Sequence, residues 1–303
     1  CSVLRKGKYI GTVDVAETSK EQMSEMMVGR KISFVIDKEE EKLGEVVLEV
    51  KNLSMKSAHS TKQAVRDVSF LARAGEILCI AGIDGNGQSE LVYGITGLEP
   101  VQEGEIRLNG EDITKTSIRH RNIKGMVHIP EDRHKHGLVL DYTLQENLVL
   151  QTYYTKRFQK FGFLKFPAIN QYAKELIEKY DIRSSKGPTS MARGMSGGNQ
   201  QKAIIARELD RSPKLVVAVQ PVRGLDVGAI EYIHKQLIKQ RDEGKAVLLV
   251  SLELDEVMNV SDRILVMYEG EIVADVDPKE VTIQELGLYM AGTKRGAKDE
   301  SSN

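Results

Sequence analysis

The 303-residue chain has 43 basic and 44 acidic residues, a formal net charge of −1, and 41% hydrophobic residues. These values fit a soluble globular protein with a sizeable core, and they exclude a global field that recruits nucleic acid or acidic membranes; such a partner would need a local patch of charge. The two cysteines, Cys1 and Cys79, favour a reduced, intracellular setting. Because the apolar runs are too short to span a bilayer and no signal peptide is evident, any work at a membrane is expected to go through a partner.

Residues 1–43 are predicted to form a separate head. Ser2–Arg5 and Tyr9–Val13 have the pattern of two short strands around a turn, and Glu21–Val28 that of a short helix. The charged run Asp37–Lys42 is interpreted as a solvated linker. Since the chain begins with Cys1 rather than Met, we expect it to be a fragment of a longer protein.

From residue 44 onward, strands alternate with helices, as in a parallel sheet covered on both faces. The domain is predicted to span 44–292 and to be followed by a disordered tail, 293–303. The predicted strands are Val46–Val50, Ala64–Phe70, Glu76–Ala81, Leu215–Val219, Ala246–Val250 and Arg263–Tyr268. The main predicted helices are Gln88–Thr96, Gly197–Leu209 and Ala229–Arg241.

The head repeats a pattern found near the end of the chain. Ser2–Ile10 parallels Ile264–Ile272, and Met26–Gly29 parallels Tyr289–Gly292. Such self-similarity is the sequence signature of a repeated unit. The head is therefore interpreted as the last part of a preceding copy of the same domain.

A Gly-rich turn, Gly82–Ser89, follows the apolar strand that ends at Ala81. It has the P-loop spacing of glycines, a cation and a hydroxyl, except that Gln88 replaces the lysine. Glycines let backbone N–H groups surround phosphates, but an amide brings no charge to hold them. Alone, the segment is equally consistent with nucleotide contact and with a structural turn. The candidate nucleotide contacts are Gly82, Asp84, Gly85, Asn86, Gly87, Gln88, Ser89 and Glu90.

The segment Met195–Gln201 is predicted to open a second phosphate-binding helix. Ser196 can cap that helix, while the glycines after it allow close backbone approach to a ligand. The alternative is an ordinary capped helix. The candidate contacts here are Ser196, Gly197, Gly198, Asn199 and Gln200.

A third segment, Pro213–Asp226, contains a predicted buried strand. Together with Gly82–Ser89 and Met195–Gln201, it resembles the ABC ATPase family in order and spacing over about residues 45–292. The resemblance implies an α/β fold, a P-loop NTPase of the ABC type. Such a fold has a RecA-like core with a parallel sheet, an antiparallel β subdomain and a helical signature subdomain.

The resemblance also implies that the catalytic positions have changed. Working members carry a Mg²⁺-positioning Asp and a water-polarising Glu where this chain has Val219 and Gln220. Leu252 stands at the position of the switch histidine, whereas Asp226 of the following loop is retained as a nucleotide contact. No catalytic residue is therefore expected to be intact. ATP or ADP is expected to be bound weakly or shared with another domain, and firm Mg²⁺ binding is not expected.

The segment Val127–Arg133 occupies the place of the family's glutamine loop, with Glu131 near the glutamine position. Ser89 and Glu131 are weak candidates for metal contacts. Arg133–His136 is interpreted as an exposed loop. An alternative function follows from Glu131: a weakly active NTPase that uses this carboxylate as metal ligand or base.

Three segments narrow the resemblance to the second half of tandem ATP-binding subunits of bacterial importers for ribose-type sugars or nucleosides. These are Glu131–Arg133, Ser196–Gln201 and Arg223–Asp226, and Ala218–Pro221 is most similar to the nucleoside branch. The resemblance implies a place on the cytoplasmic face of the bacterial cell membrane. In that arrangement, the segment around Ser196 completes the active site of the first domain.

The partners implied by the resemblance are the first ABC domain of the same polypeptide, transmembrane permease subunits and, indirectly, an extracytoplasmic substrate-binding lipoprotein. An ABC protein acting on ribosomes or DNA would need long inserted coiled coils or a basic face. Neither is present in the sequence, so nucleic acid is not an expected partner.

Overall fold

The computed structural model describes residues 1–5, 7–29, 38–57 and 62–296. The head contains β1 (Ser2–Arg5), β2 (Lys8–Thr12) and α1 (Lys20–Val28). The next elements are β3 (Val46–Lys56), β4 (Gln63–Arg73), β5 (Ile77–Ala81), α2 (Gln88–Thr96), β6 (Glu103–Leu108), β7 (Glu111–Asp112), α3 (Ile118–Ile123) and β8 (Met126–Ile129).

The elements between β8 and the next long strand form a mainly helical subdomain. They are a π-helical turn (Arg133–Gly137), α4 (Leu144–Val149), β9 (Gln159–Lys160), β10 (Phe163–Leu164), α5 (Phe166–Lys179), two short 3-10 turns (Gly187–Thr189 and Ala192–Gly194) and α6 (Gly197–Leu209). The remaining elements are β11 (Leu215–Val219), α7 (Val227–Asp242), β12 (Ala246–Ser251), α8 (Leu254–Val260), β13 (Arg263–Tyr268), β14 (Glu271–Val276) and α9 (Ile283–Met290).

The central sheet has six strands in the order β14-β13-β5-β12-β11-β8 and is parallel except for the β13–β14 pair. Strand β5 lies in its interior and is buried along its whole length. Ile77 and Cys79 belong to the apolar core on one face, while Leu78 and Ile80 belong to the core on the other. Both faces are covered, and this is why β5 has a continuous apolar sequence rather than an alternating one.

A second, four-stranded antiparallel sheet has the order β4-β3-β6-β7. Its inner side chains share a core with α2 and with one face of the central sheet. Leu91 and Ile95 of α2 are fully buried in that core, so the helix that begins at the Gly-rich turn is fixed between the two sheets. The arrangement of parallel core, antiparallel subdomain and helical subdomain confirms the predicted fold. Among the described residues, no helix is long and apolar enough to cross a membrane.

The hairpin of the head and the hairpin β13–β14 have the same register. The pairs Val3–Gly11 and Leu4–Tyr9 correspond to Val266–Ala274 and Met267–Ile272, and each hairpin has its irregularity between those two pairs. The helices that follow begin at equivalent caps, Ser19 and Thr282, and both are followed by a glycine of positive φ, Gly29 and Gly292.

The structural correspondence corrects the strand alignment made from sequence. Aligning Ser2–Ile10 with Ile264–Ile272 is wrong by one residue, because Gly7 and Gly270 occupy the same place in the two turns. The helical alignment of Met26–Gly29 with Tyr289–Gly292 holds. Hydrophobic similarity did not fix the register, whereas the turn glycine and the bulge do.

The charged run after the head is anchored rather than simply solvated. The Lys38 ammonium donates hydrogen bonds to the carbonyl oxygen of Ser261 at 2.7 Å and to Asp262 Oδ1 at 3.2 Å, beyond the C-terminus of α8. Residue 37 lies outside the described residues. Of the predicted disordered tail, residues 297–303 lie outside them too, whereas Gly296 donates its N–H to the Val273 carbonyl at 2.9 Å. The tail therefore packs on β14 as far as residue 296.

Candidate functional site

The Gly-rich turn connects β5 to α2 and needs glycine at two positions. Gly85 and Gly87 have φ values of 87° and 103°, a region that strains residues with a Cβ atom. A Cβ atom on Gly87 would lie 2.0 Å from the carbonyl oxygen of Ala64 in β4. The turn therefore has the compact backbone of a P-loop. Asp84 and Gly85 lie at its exposed tip.

Two side chains of the turn, those of Asn86 and Gln88, form hydrogen bonds within the protein. Asn86 Oδ1 accepts the Glu269 N–H at 2.9 Å, and the Asn86 carbonyl accepts the Gly270 N–H at 2.9 Å. Gln88 is 5% exposed, and its Nε2 donates to the Ile83 carbonyl at 3.2 Å. The residue that replaces the lysine is thus folded back into the loop instead of reaching outward.

A cavity of about 220 Å³ lies beside the start of α2. It is lined by Ser89, Val219 and Glu131, together with His128, Lys135 and other residues of the segment after β8. The structure thus brings Ser89, Glu131 and Val219 to one cavity. Val219 is the last residue of β11 and is 5% exposed, so it presents an apolar surface to this cavity.

Glu131 is held by a cation that the sequence analysis did not single out. The Arg223 guanidinium forms an ion pair with its carboxylate, and Arg133 Nη1 donates to the Arg223 carbonyl at 2.9 Å. The Glu131 carboxylate is thus already engaged by a cation of the protein itself. The sequence places Arg223 in the loop after β11, and that position alone does not indicate the contact with Glu131.

Residues Arg133–Gly137 form one turn of π-helix, and its residues His134, Lys135 and His136 are exposed, as expected. Asp132 caps the turn, since its Oδ1 accepts the N–H groups of Lys135 at 3.0 Å and His134 at 2.8 Å. These backbone hydrogen bonds lower the pKa of Asp132. The turn places Lys135 and His136 against the cavity beside Ser89. Single π-helical turns occur frequently at functional sites.

His128 of β8 lies in the wall between two cavities. It lines the one beside Ser89 and a smaller one of about 140 Å³ that also contacts Arg207. Its Nε2 is buried without a hydrogen-bond partner among the described residues. Burial, helped by the charges of His136 and Arg207, lowers the pKa of His128 from 6.5 to about 4. The imidazole is therefore neutral near pH 7.

The segment around Ser196 forms a different surface at the start of α6. Ser196 occupies the N-cap position, but its side chain accepts no helix N–H. The predicted cap is therefore wrong: the Ser196 hydroxyl accepts Asn199 Nδ2 at 2.9 Å, and Asn199 Oδ1 accepts the Arg183 N–H at 2.7 Å. The side-chain contact leaves the first N–H groups of the helix without the serine cap.

The two glycines after Ser196 leave room for a ligand. A Cβ atom on Gly197 would meet its nearest neighbours only at 3.7 Å, and one on Gly198 at 3.4 Å, both ordinary contacts. Gln200 is buried instead, donating to the Ala192 carbonyl at 3.0 Å and contacting His134 Nε2 at 3.1 Å. A cavity of about 350 Å³ beside this helix start is lined by Ser196 and Asn199.

The remaining predicted positions have mostly structural contacts. Gln220 has a positive φ of 42° and donates its N–H to the Val250 carbonyl at 2.7 Å. Asp226 caps α7, because its Oδ1 accepts the Ala229 N–H at 3.0 Å. Leu252 is half-buried after β12. Glu90 lines a cavity of about 660 Å³ on the other side of the Gly-rich turn, together with Asn86.

The predicted residues thus gather into two groups. The cavities beside the Gly-rich turn are lined by Ser89, Glu90 and Glu131, and the cavity beside α6 by Ser196 and Asn199; no residue lines both. Each group includes a helix start of the kind that binds anions. The two helix starts thus lie beside separate cavities.

The model of the ABC transporter family matches residues 65–222. The chain belongs to this family. It is 51% identical over 291 residues to the nucleoside import ATP-binding protein NupA of Lactococcus lactis subsp. cremoris (strain MG1363), covering 96% of this chain and 57% of that protein. It is also 51% identical over 292 residues to the guanosine import ATP-binding protein NupO of Bacillus subtilis (strain 168), with the same coverage. The chain therefore spans little more than half of the length of these curated relatives.

Solved structures show the same fold at lower sequence identity. The dimeric post-hydrolysis structure of the ATP-binding cassette MJ0796 bound to ADP and Pi has a TM-score of 0.65 and 23% identity, covering 77% of this chain and 100% of that one. The ADP conformation of the cassette MJ1267 has a TM-score of 0.64 and 22% identity, covering 82% and 96%. These likenesses confirm the ABC cassette fold.

The residues beside Ser89 do not fit the Mg²⁺ that this fold commonly uses with ATP. Magnesium requires oxygen ligands in near-octahedral geometry. Here the strand β11 ends in the apolar Val219, and the Glu131 carboxylate is paired with Arg223. Lys135 lines the same cavity and supplies a positive charge of its own. No step of a reaction is therefore derived through a metal in this cavity.

Proposed function

We propose that this chain is the second nucleotide-binding half of the ATP-binding subunit of a bacterial importer, and that it serves the nucleotide held by a preceding domain. The observation that carries the proposal is the contrast between the two edges. The Asn86 and Gln88 side chains of the Gly-rich turn are bonded within the protein, whereas the start of α6 leaves Gly197 and Gly198 free to approach a ligand.

The repeated hairpin supports the existence of a preceding copy. The head and β13–β14 share a register, a bulge position and helix caps. A chance match of all these features is improbable for an unrelated segment, and they are expected of the last piece of a duplicated domain. NupA and NupO, which this chain matches over 57% of their length, are long enough to contain a further domain.

The proposed mechanism follows from the chemistry of a helix start. When two cassettes face each other, the backbone N–H groups around Ser196, Gly197 and Gly198 donate to the phosphates of ATP bound to the first domain. The small side chains there allow the close approach that these hydrogen bonds require. ATP supplies the phosphoryl group, and this chain supplies only positioning and electrostatic stabilisation.

The local site is proposed to bind ATP or ADP weakly and to turn it over very slowly. Gly85, Asn86, Gly87 and Ser89 would contact the phosphates, but Gln88, Val219, Gln220 and Leu252 replace the groups on which hydrolysis depends. A weakly active NTPase that relies on Glu131 is not favoured, because Arg223 pairs with that carboxylate.

The names of the relatives, NupA and NupO, support nucleosides as the transported substrate. On this proposal the chain works at the cytoplasmic face of the bacterial cell membrane with the first ABC domain and transmembrane permease subunits. An extracytoplasmic substrate-binding lipoprotein takes part indirectly.

A matched pair of substitutions in the full-length tandem protein tests the proposal. Gly197→Ala adds a methyl group for which this chain has room, so any effect must come from the facing nucleotide. We expect ATPase activity to fall about a hundredfold, since a small displacement from the reactive geometry costs that much. Gln88→Ala, at the local site, should change activity less than about twofold. Equal effects of the two substitutions, or an unaffected Gly197→Ala protein, would contradict the cross-domain role.

A further inference from the structure

Residues 147–174 contain no Asp or Glu, although the whole chain has 44 acidic residues. The same segment contains five basic residues: Lys156, Arg157, Lys160, Lys165 and Lys174. The segment thus has a net charge of +5, although Arg157 pairs with Glu175 just beyond its end at 3.4 Å. This segment is the kind of feature through which an otherwise neutral protein can attract an anionic surface.

A short hairpin projects from the centre of this segment. Strands β9 and β10 are antiparallel and are joined by Phe161 and Gly162, with φ values of 52° and 85°. A two-residue turn with positive φ at both positions favours Asn-Gly or Asp-Gly, whereas a bulky aromatic residue is strained there. A phenylalanine at the tip of the turn is therefore not explained by backbone preference.

Packing does not explain the aromatic residues of the hairpin either. The side chain of Phe161 is 88% exposed, that of Phe163 80% and that of Phe166 51%. By contrast, Phe158 at the base of the hairpin is 3% exposed, with its ring centroid 5.1 Å from that of Tyr172. The base is fixed to the protein core while three rings remain in solvent. Clustered exposed aromatic rings usually mark an interaction surface.

We propose that the hairpin 159–164 and its flanking cations form a binding surface for anionic phospholipid headgroups. In this arrangement the rings of Phe161 and Phe163 enter the membrane interface. Cations and rings lie side by side, as the Lys160 ammonium is 5.5 Å from the Phe161 ring centroid. Long basic side chains can then remain at the headgroups while the rings are buried. The inference does not rest on the cross-domain role proposed for Ser196.

Single-stranded nucleic acid also attracts cations and aromatic rings. The hairpin favours lipid for a physical reason: the exposed residues Phe161, Phe163 and Leu164 of the hairpin, and Phe166 beside it, carry no hydrogen-bonding side-chain group. Their transfer from water to the acyl region is favourable in itself. Each nearby lysine adds attraction to an anionic leaflet.

Cosedimentation of the 303-residue chain with lipid vesicles tests the charge part of this proposal. We expect binding to vesicles of equimolar phosphatidylglycerol and phosphatidylcholine that weakens with salt, and little binding to phosphatidylcholine alone. Lys156→Gln with Lys160→Gln should weaken binding about thirtyfold, at about fivefold for each lysine. The matched control, Lys51→Gln with Lys239→Gln, removes the same charge from exposed positions elsewhere and should bind like the unchanged protein.

Phe161→Asn tests the aromatic part without unfolding the hairpin, because asparagine followed by Gly162 suits the positive φ values of the turn. We expect about tenfold weaker vesicle binding together with an unchanged melting temperature. Equal binding to both kinds of vesicle, or full binding by either hairpin variant, overturns the proposal. The proposal is also overturned if a single-stranded oligonucleotide displaces the vesicles from the protein, or if binding occurs only when the vesicles contain permease.

Discussion

The two helix starts of this cassette have the same general chemistry, and neither has a side-chain cap, but their surroundings differ. At α2, the Gln88 amide and the Asn86 side chain form hydrogen bonds within the protein, and the buried, apolar Val219 lies nearby. At α6, the Ser196 hydroxyl is turned to Asn199, and no cap covers the helix N–H groups. The two edges therefore differ in the side chains around them and not in the capping of their helix N–H groups.

The difference teaches that the backbone of a Gly-rich turn is fixed separately from the chemistry of its side chains. The glycines of the turn keep a P-loop backbone because Gly87 packs against β4, independently of any ligand. The charge and the possible ligands around that backbone depend on other residues, Gln88 and Val219 among them. Geometry and chemistry can therefore be separated experimentally at this site.

The largest expected difference between the two helix starts appears in acid, because the buried His128 lies beside the Gly-rich turn and not beside the start of α6. Its pKa is lowered to about 4 in the folded protein, while the unfolded chain takes up the proton near 6.5. Stability is therefore complete above pH 6.5 and falls as the pH drops toward 4, by up to about 3 kcal/mol. Urea unfolding at pH 7 and at pH 4.5 should show this loss, and His128→Gln should remove most of it. An equal loss in the variant would exclude His128 as its source.

A smaller effect is expected from restoring the missing charge. Gln88→Lys should tighten ATP binding to this chain about tenfold, since a charge-assisted hydrogen bond to phosphate replaces a neutral amide. Isothermal titration calorimetry measures the change directly. Gln88→Met, of similar size but without charge, serves as the control and should bring no gain. If Gln88→Lys and Gln88→Met bind ATP equally well, the conformation of the loop rather than the missing charge limits the affinity for ATP.

The smallest expected effects concern the cavity beside Ser89, which Lys135 also lines. The affinity of this chain for ATP should differ less than about twofold between solutions with and without Mg²⁺, because Val219 offers no ligand. Lys135→Gln should weaken ATP binding about fivefold, the size of one partly screened charge interaction. Lys115→Gln, at an exposed position on another surface, should leave it unchanged. Strong magnesium dependence in the unchanged protein would contradict this interpretation of the cavity.

Much of the fold was predictable because its elements have strong local signals. The strands β5 and β11 are continuous apolar runs, α2 begins directly after a glycine-rich segment, and α6 begins with two glycines. Ser89, Glu131 and Val219 were also singled out as candidate site positions, on the basis of the family resemblance. The roles of these residues in nucleotide binding remain predictions.

Other features could not be predicted, because they depend on contacts between distant parts of the chain. The ion pair of Glu131 with Arg223 joins residues 92 positions apart. The failure of Ser196 to cap α6 depends on Asn199, which is itself fixed by the Arg183 backbone. The alternation of apolar residues likewise left the strand alignment of the head open by one residue.

The sequence by itself determined the alternating elements, the glycines of both helix starts and the loss of the lysine and acidic side chains. Residue identity and local spacing are sufficient for these conclusions. Only the tertiary structure decided which polar groups are already satisfied, which cation pairs with Glu131 and which rings stay in solvent. The physical reason is that hydrogen bonding, desolvation and charge pairing act over a few ångströms in space, between side chains whose distance along the chain carries no such information.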